Sequence, residues 1–201
     1  PPAGYKPSGW NPPAASVAAS GATNLTEREM LSTPQFYFLW LTFMGSAMAG
    51  LMVIGCIALF GSDALQARGM DAATAKVTAG TAMALFAILN GLGRIIWGTI
   101  SDKIGRKSSL VLMCLLQGAT MFIFYYIGGT SLGLIIGACA IGFNFGGNFA
   151  LFPAATADYF GNKNVGTNYG WVFLAYGVAG IAGPYIAAFF SGSVPKDADL
   201  M

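Results

Sequence analysis

The chain has 201 residues, of which 55% are hydrophobic and only 9% are charged, and its formal net charge is +2. Soluble domains carry about 25% charged residues, so this composition, with a mean hydropathy of +0.63, indicates a protein embedded in a lipid bilayer. The small net charge excludes a nucleic-acid surface, and the lack of histidine excludes histidine-based acid–base catalysis and histidine metal sites.

The first 34 residues have the composition of a linker. They are rich in Pro, Ala, Ser and Gly, without the basic-then-apolar pattern of a signal peptide. Thr26, Glu27 and Glu29 then follow the order of a helix start with acidic residues in its first turn. The sequence therefore predicts a linker over 1–34, continuing from an upstream part of the protein, with one short surface helix near 26–32.

Five apolar segments follow, and each exceeds the roughly 20 helical residues needed to cross about 30 Å of hydrocarbon. None shows the alternating polarity of a transmembrane β-strand. The predicted fold class is thus all-α, a polytopic membrane helix bundle whose short connections make sequential helices antiparallel neighbours. The predicted helices span 35–61, 77–100, 108–128, 131–157 and 167–191, and a polar tail follows over 192–201.

Basic residues predict the orientation, because Lys and Arg next to a bilayer resist translocation. If the linker is cytoplasmic, six basic residues lie inside and three outside, which favours that choice. The tail then lies on the outer face, and we expect a sixth helix beyond this sequence. The inner residues are Lys6, Arg28, Lys103, Arg106, Lys107 and Lys163, and the outer ones are Arg68, Lys76 and Lys196.

Glycines at four-residue spacing predict close helix packing. A Pro at position 184 predicts a kink in the last helix. The glycine pairs are Gly133 with Gly137, Gly142 with Gly146, and Gly166 with Gly170.

Arg94 is the charged side chain placed most clearly inside an apolar segment. A guanidinium in hydrocarbon costs at least about 2.5 kcal/mol at the bilayer centre and so marks a candidate functional site. Asn90 precedes it by one helical turn on the same face. The alternative is that Arg94, only six residues from Ile100, extends toward the cytoplasmic headgroups.

The predicted spans contain no acidic residue to neutralise Arg94, so its partner is either outside this sequence or a bound anion. A planar guanidinium binds a carboxylate through two parallel hydrogen bonds, which favours a small carboxylic acid over chloride or phosphate. Asn144, Asn148 and Tyr176 are expected to line the same cavity. The alternative for the asparagines is hydrogen bonding between helices. Tyr169 is interpreted as an interfacial anchor.

A charged run between the second and third predicted helices carries a family resemblance. The run resembles the loop signature of the major facilitator superfamily, which lies between the second and third helices of a six-helix half. The matching residues are Gly98, Asp102, Gly105, Arg106 and Lys107.

Longer stretches are similar to one family within that group. Residues 147–158 and 166–170 resemble the oxalate/formate antiporter family, including its lactate-transporter-like members. The opening ten residues resemble that family's central cytoplasmic linker. The resemblance implies a C-terminal half without its last helix, whose partners are the N-terminal six-helix half and the lipid of the cytoplasmic membrane.

The resemblance also implies roles for individual residues. Asn90 and Arg94 match the pattern that places a substrate-binding arginine on the second helix of this half. Asp102, Arg106 and Lys107 would form a network at a cytoplasmic gate. Oxalate exchangers are expected to carry a second cation, a lysine, where this chain has Tyr176, so a monocarboxylate such as lactate, pyruvate or formate is expected.

The expected mechanism is alternating access by a secondary active transporter, coupled to a proton or to a counter-anion, with neither metal nor cofactor. An anion channel and a membrane sensor that binds a small anion without moving it remain alternatives. An enzyme is not expected, because the sequence offers neither a pair of intramembrane carboxylates nor a serine dyad.

Overall fold

A computed structural model describes residues 24–193, with side chains described through residue 189. In this range five helices are long and apolar enough to cross a membrane, which confirms the predicted all-α membrane bundle. The predicted linker before residue 24 and the predicted tail after residue 193 lie outside the described residues. The helices are α1 (Glu27–Leu31), α2 (Pro34–Ala67), α3 (Ala72–Ile104), α4 (Arg106–Ile127), α5 (Ser131–Phe160) and α6 (Val165–Ser193).

Helix α1 begins with a capping box. The Glu29 carboxylate accepts a hydrogen bond from the Thr26 amide at 2.8 Å, and the Thr26 hydroxyl accepts one from the Glu29 amide at 3.5 Å. Bonds from the Thr26 amide, and then from its hydroxyl, lower the pKa of the Glu29 carboxyl, because they favour its charged form. The helix is one residue shorter at each end than predicted, and it buries Met30 completely.

The connection between α2 and α3 is much shorter than predicted. Most of the region expected to connect them, 61–76, is helical, because α2 continues to Ala67 and α3 begins at Ala72. Residues 62–67 include Ala, Leu and Gln, which favour helix. Hydropathy marks where a helix leaves the hydrocarbon, whereas the hydrogen-bonded backbone continues beyond that point.

The charged run after Gly98 is not a loop of seven residues. Residues 101–104 complete α3, and Arg106 already begins α4. Gly105 alone separates the two helices, with a φ of 87° that residues with a side chain rarely adopt. The predicted loop is therefore corrected to two helix ends joined by one glycine.

Helix α5 lies at the centre of the bundle, where it packs against α3, α4, α2 and α6. Its contact with α3 is a backbone contact made through glycines. A Cβ added to Gly93 would overlap the carbonyl oxygen of Phe143, and one added to Gly146 would overlap that of Asn90. The predicted close packing at Gly142 and Gly146 is thus present.

The other predicted glycine pairs differ from each other. A Cβ on Gly133 would meet the Ile127 carbonyl within the same hairpin, and one on Gly137 would meet the Phe124 ring of α4. Gly166 and Gly170 have open space around them in the described part of the chain. This last pair therefore does not pack against a described helix, and close packing there stays a prediction.

Candidate functional site

Arg94 lies on the exposed surface of α3, ten residues before the helix ends at Ile104. At 1.5 Å per residue, this places its Cα about 15 Å from that end. Its Nε and Nη2 atoms donate to the Asn90 side-chain oxygen at 3.3 and 3.2 Å. Since Asn90 is one turn nearer the N-terminus of α3, the guanidinium points away from the C-terminal end of this helix. This direction is opposite to the one that extension toward the headgroups requires.

The Arg94 guanidinium also lies over an aromatic ring of α5. Its Cζ atom is 4.4 Å from the ring centroid of Phe149, within the range of a cation–π interaction. The Phe149 ring in turn packs edge-on against Tyr176 of α6 at 5.6 Å and against Phe145 at 5.5 Å. The cation therefore adjoins an aromatic wall built by two other helices.

Arg94 has no acidic partner among the residues that the structure describes. The two ion pairs found there both belong to Arg106. The Nη1 atom of Arg94 has no hydrogen bond in the described part of the chain, and its Nη2 atom donates only to Asn90, so the Nη1–Nη2 edge of this guanidinium faces no other protein acceptor. That free edge is the one on which a planar carboxylate forms two parallel hydrogen bonds.

Asn148 does not lie beside Arg94. It is fully buried, and its side-chain oxygen accepts a 2.7 Å hydrogen bond from the Ser46 hydroxyl of α2. Successive residues of a helix point about 100° apart, so Phe149 faces the Arg94 side and Asn148 faces α2. Of the two roles that the sequence left open for Asn148, the structure shows the hydrogen bond between helices.

Asn144 lies one turn before Asn148 and is also buried, with 5% of its surface exposed. It therefore belongs to the interior of the bundle rather than to an open cavity wall. Tyr176 does lie next to the arginine, because its ring packs on Phe149 and stacks on Phe173 at 5.2 Å. Tyr169 is half-buried against the core and contacts Phe173 at 5.6 Å, so it is not simply an exposed interfacial anchor.

A second polar cluster joins the ends of three helices: the C-terminal ends of α3 and α5 and the N-terminal end of α4. Arg106 at the start of α4 donates through Nη1 to Asp102 at 2.8 Å and to the Ser101 hydroxyl at 2.7 Å. Its Nε atom donates to Asp158 of α5 at 2.8 Å. One guanidinium thus connects the ends of α3 and α5, and we call these four residues the Arg106 cluster.

Lys107 is outside the Arg106 cluster. It is exposed, has no acidic partner in the described range, and borders a crevice beside Gln35 and Tyr159. The network predicted from Asp102, Arg106 and Lys107 is therefore corrected, because adjacent residues at the start of a helix point in different directions. Gly98, also part of the predicted run, sits close to α5, since a Cβ there would be 3.8 Å from Ala150.

Three residues that contact the predicted site residues were not predicted from the sequence. Phe149, Asp158 and Ser46 each lie on a different helix from the residue they contact. A signal existed for Asp158, because an acidic residue ends an apolar segment on the same side of the membrane as the basic run. Nothing in the sequence distinguished Phe149 from the other phenylalanines of α5, or Ser46 from other small polar residues.

The chain is similar to known proteins over most of its length. A family model described as Major Facilitator Superfamily matches residues 2–184. The chain is 32% identical to the oxalate:formate antiporter of Oxalobacter formigenes over 161 residues, 80% of this chain and 37% of that protein. It is 31% identical to YhjX of Escherichia coli, described as an uncharacterized MFS-type transporter, over 78% of this chain and 37% of that protein.

A shorter similarity involves a eukaryotic carrier. The chain is 34% identical to apicoplast pyruvate carrier 1 of Toxoplasma gondii over 87 residues, 42% of this chain and 16% of that protein. The chain thus spans well under half the length of these relatives, whose names describe transporters. Together with the five membrane-length helices and the extent of the family match, these similarities show that the chain is a multi-pass membrane protein that belongs to the Major Facilitator Superfamily.

Proposed function

We propose that this chain is part of a secondary active transporter that moves a small monocarboxylate, such as lactate, formate or pyruvate, across the cytoplasmic membrane. The observation that carries the proposal is the Arg94 guanidinium, which is held by Asn90 and Phe149 and has no acidic partner among the described residues. The relatives named for oxalate, formate and pyruvate support a carboxylate as the substrate class.

The site would bind its substrate through the open edge of the guanidinium. Asn90 fixes the Nε side of Arg94, and the Phe149 ring covers one of its faces. Both contacts restrict the rotation of a long side chain, so less conformational entropy is lost when the anion binds. The carboxylate would then approach in the guanidinium plane, and its charge would neutralise Arg94 in the occluded state.

The rest of the site favours one carboxylate over two. Around Arg94 the described walls are the rings of Phe149, Phe145 and Tyr176, none of which supplies a second positive charge. Aromatic surfaces suit the short apolar tail of a monocarboxylate. The second carboxylate of a dianion would be desolvated there without a cationic partner, which is unfavourable.

Transport would proceed by alternating access of two six-helix halves around this site, driven by a proton or by exchange for a counter-anion. The Arg106 cluster would act as the cytoplasmic latch, because it closes the ends of α3, α4 and α5 onto one another. The second half and the coupling ion would come from parts of the protein beyond this chain.

The test is uptake by the full-length transporter in proteoliposomes, with labelled lactate, formate and oxalate and with imposed pH gradients. Arg94→Gln and Arg94→Lys are compared with wild type. Charge-assisted hydrogen bonds contribute about 1.5–3 kcal/mol, so we expect monocarboxylate uptake at limiting substrate to fall about 10- to 150-fold in both variants. Lysine fails because it lacks the planar two-donor edge.

Three outcomes would contradict the proposal. Normal uptake by both variants would remove Arg94 from the binding site. Flux without saturation or counterflow would indicate a channel. Binding of labelled substrate to wild type without any uptake would indicate a sensor. Tyr176→Lys tests the proposal by a gain of function. A second cation beside Phe149 should raise oxalate uptake relative to lactate uptake.

A further inference from the structure

The last residues of the predicted linker are built into the helix bundle. The Leu25 amide donates to the Phe160 carbonyl at 2.9 Å, and the Lys163 amide donates to the Asn24 side-chain oxygen at 3.1 Å. The Leu25 carbonyl accepts from the side-chain amides of Asn164 at 3.0 Å and Asn168 at 3.1 Å. Four hydrogen bonds thus fasten two residues to the end of α5, to the turn that follows it and to the start of α6.

The helix that follows adds apolar contacts to these bonds. Met30 of α1 is fully buried in the core that also contains Phe160 of α5 and Val172 of α6. Leu25 and Leu31 are partly buried against the same core. Residues 24–31 therefore lie as a strap across the cytoplasmic ends of α5 and α6, with a hydrogen-bonded start and an apolar anchor.

Asn168 is a buried polar residue whose side chain contacts the strap. It is fully buried in α6, where its Nδ2 donates to Leu25, whereas its Oδ1 has no described partner. A buried amide with one unpaired atom is unfavourable, and an apolar residue of similar size would avoid that penalty. The Leu25 contact is the one described interaction that an apolar residue could not replace.

The strap binds α5 close to a member of the Arg106 cluster. Asp158, which pairs with Arg106, is two residues before Phe160, whose carbonyl accepts the Leu25 amide. We propose that residues 24–31 act as a conformational strap, held by Asn168, which keeps the ends of α5 and α6 together and thereby keeps Asp158 within reach of Arg106. The position of the strap would then bias the closure of the cytoplasmic end, whatever the substrate is.

Hydrogen–deuterium exchange of the full-length protein in lipid nanodiscs tests this without measuring transport, so its outcome is separate from that of the proposed function. Asn168→Leu keeps a branched side chain of similar shape and removes the hydrogen-bond donor. Asn162→Ala, at an exposed position of the same turn, is the matched control. We expect exchange in peptides covering 24–31 and 158–168 to become at least about tenfold faster in Asn168→Leu, as bonded amides open more often, and within about twofold of wild type in the control.

The link to Arg106 needs a double-variant comparison. If the strap acts through Asp158, Asn168→Leu should also speed exchange over 101–110, and this increase should disappear in an Arg106→Gln background. Peptides over 137–150 report whether the α3–α5 contact remains folded. If they too exchange faster, Asn164→Ala, which removes only one of the two donors to Leu25, replaces Asn168→Leu.

Two results would overturn the proposal. Unchanged exchange over 24–31 in a folded Asn168→Leu protein would show that this residue does not hold the strap. Faster exchange over 24–31 with wild-type exchange over 101–110 would show a passive tether that does not reach the Arg106 cluster.

Discussion

At the scale of single residues, Arg94 is positioned by two neighbours of different chemistry. Asn90 is a hydrogen-bond acceptor on the same helix, and Phe149 is a ring on another helix. An exposed arginine side chain otherwise samples many rotamers, which makes any anion site built on it imprecise. The two contacts together define which edge of the guanidinium is available.

Replacing Phe149 should therefore weaken binding without abolishing it. A cation–π contact contributes about 0.5–2 kcal/mol, so we expect Phe149→Leu to raise the dissociation constant of the monocarboxylate about 2- to 30-fold. Isothermal titration of the detergent-solubilised full-length protein measures this. Phe122→Leu, on the exposed surface of α4, is the control. Equal affinity of the two variants would show that the ring does not orient Arg94.

The Asn90–Arg94 pair was predictable, and its wider surroundings were not. Residues four apart on one helix share a face, so the sequence alone brings these two side chains together. Asp158 is 52 residues from Arg106, and Ser46 is 102 residues from Asn148. Such contacts depend on which helix faces cross in the bundle, and hydropathy carries no information about helix rotation. For this reason the sequence left Asn148 open between a place in the cavity and a hydrogen bond between helices.

At the scale of helices, the contact between α3 and α5 determines the geometry of the site. Glycines let the two backbones touch at Gly93, Gly142 and Gly146, close to Asn90 and to the Phe143–Phe149 stretch. The apolar segments themselves were predicted well, because each must exceed the thickness of the hydrocarbon. Their ends were not, because α2 and α3 extend beyond their apolar parts.

Gly93→Ala and Gly91→Ala form a matched pair on α3. A Cβ at Gly93 overlaps the backbone of Phe143, whereas nothing lies within 4 Å of a Cβ at Gly91. Forcing two backbones apart costs about 1–3 kcal/mol, but alanine at an open helix position gains about 0.5–1 kcal/mol. We expect a lower thermal unfolding midpoint for Gly93→Ala and an unchanged or higher one for Gly91→Ala. Equal midpoints would refute the close contact.

At the scale of the whole molecule, the candidate site and the Arg106 cluster share one helix. Arg94 and Asp102 are eight residues apart on α3, or about 12 Å along its axis. A tilt of α3 would therefore move both, so under the proposed function a bound substrate would influence the Arg106 cluster through this helix. The Arg106 side chain is 22% exposed, but its partners Asp102 and Asp158 are 68% and 45% exposed, so salt should weaken both pairs as it weakens surface ion pairs.

Arg106→Gln and Lys107→Gln remove the same charge, but only the first breaks ion pairs. We expect Arg106→Gln to lower the maximal uptake rate several-fold while the substrate dissociation constant changes less than about threefold, because the latch affects interconversion rather than binding. Lys107→Gln should stay near wild type. Similar losses in both variants would mean that net charge, rather than the Arg106 pairs, governs the rate.

Gly105 limits how far α3 can move independently of α4. Because it alone stands between α3 and α4, with its φ at 87°, the angle between the two helices depends on one pair of backbone torsions. The first turn of α4 should therefore follow any reorientation of α3, so that the hairpin transmits motion from the interior of the bundle to the end where Gly105 lies.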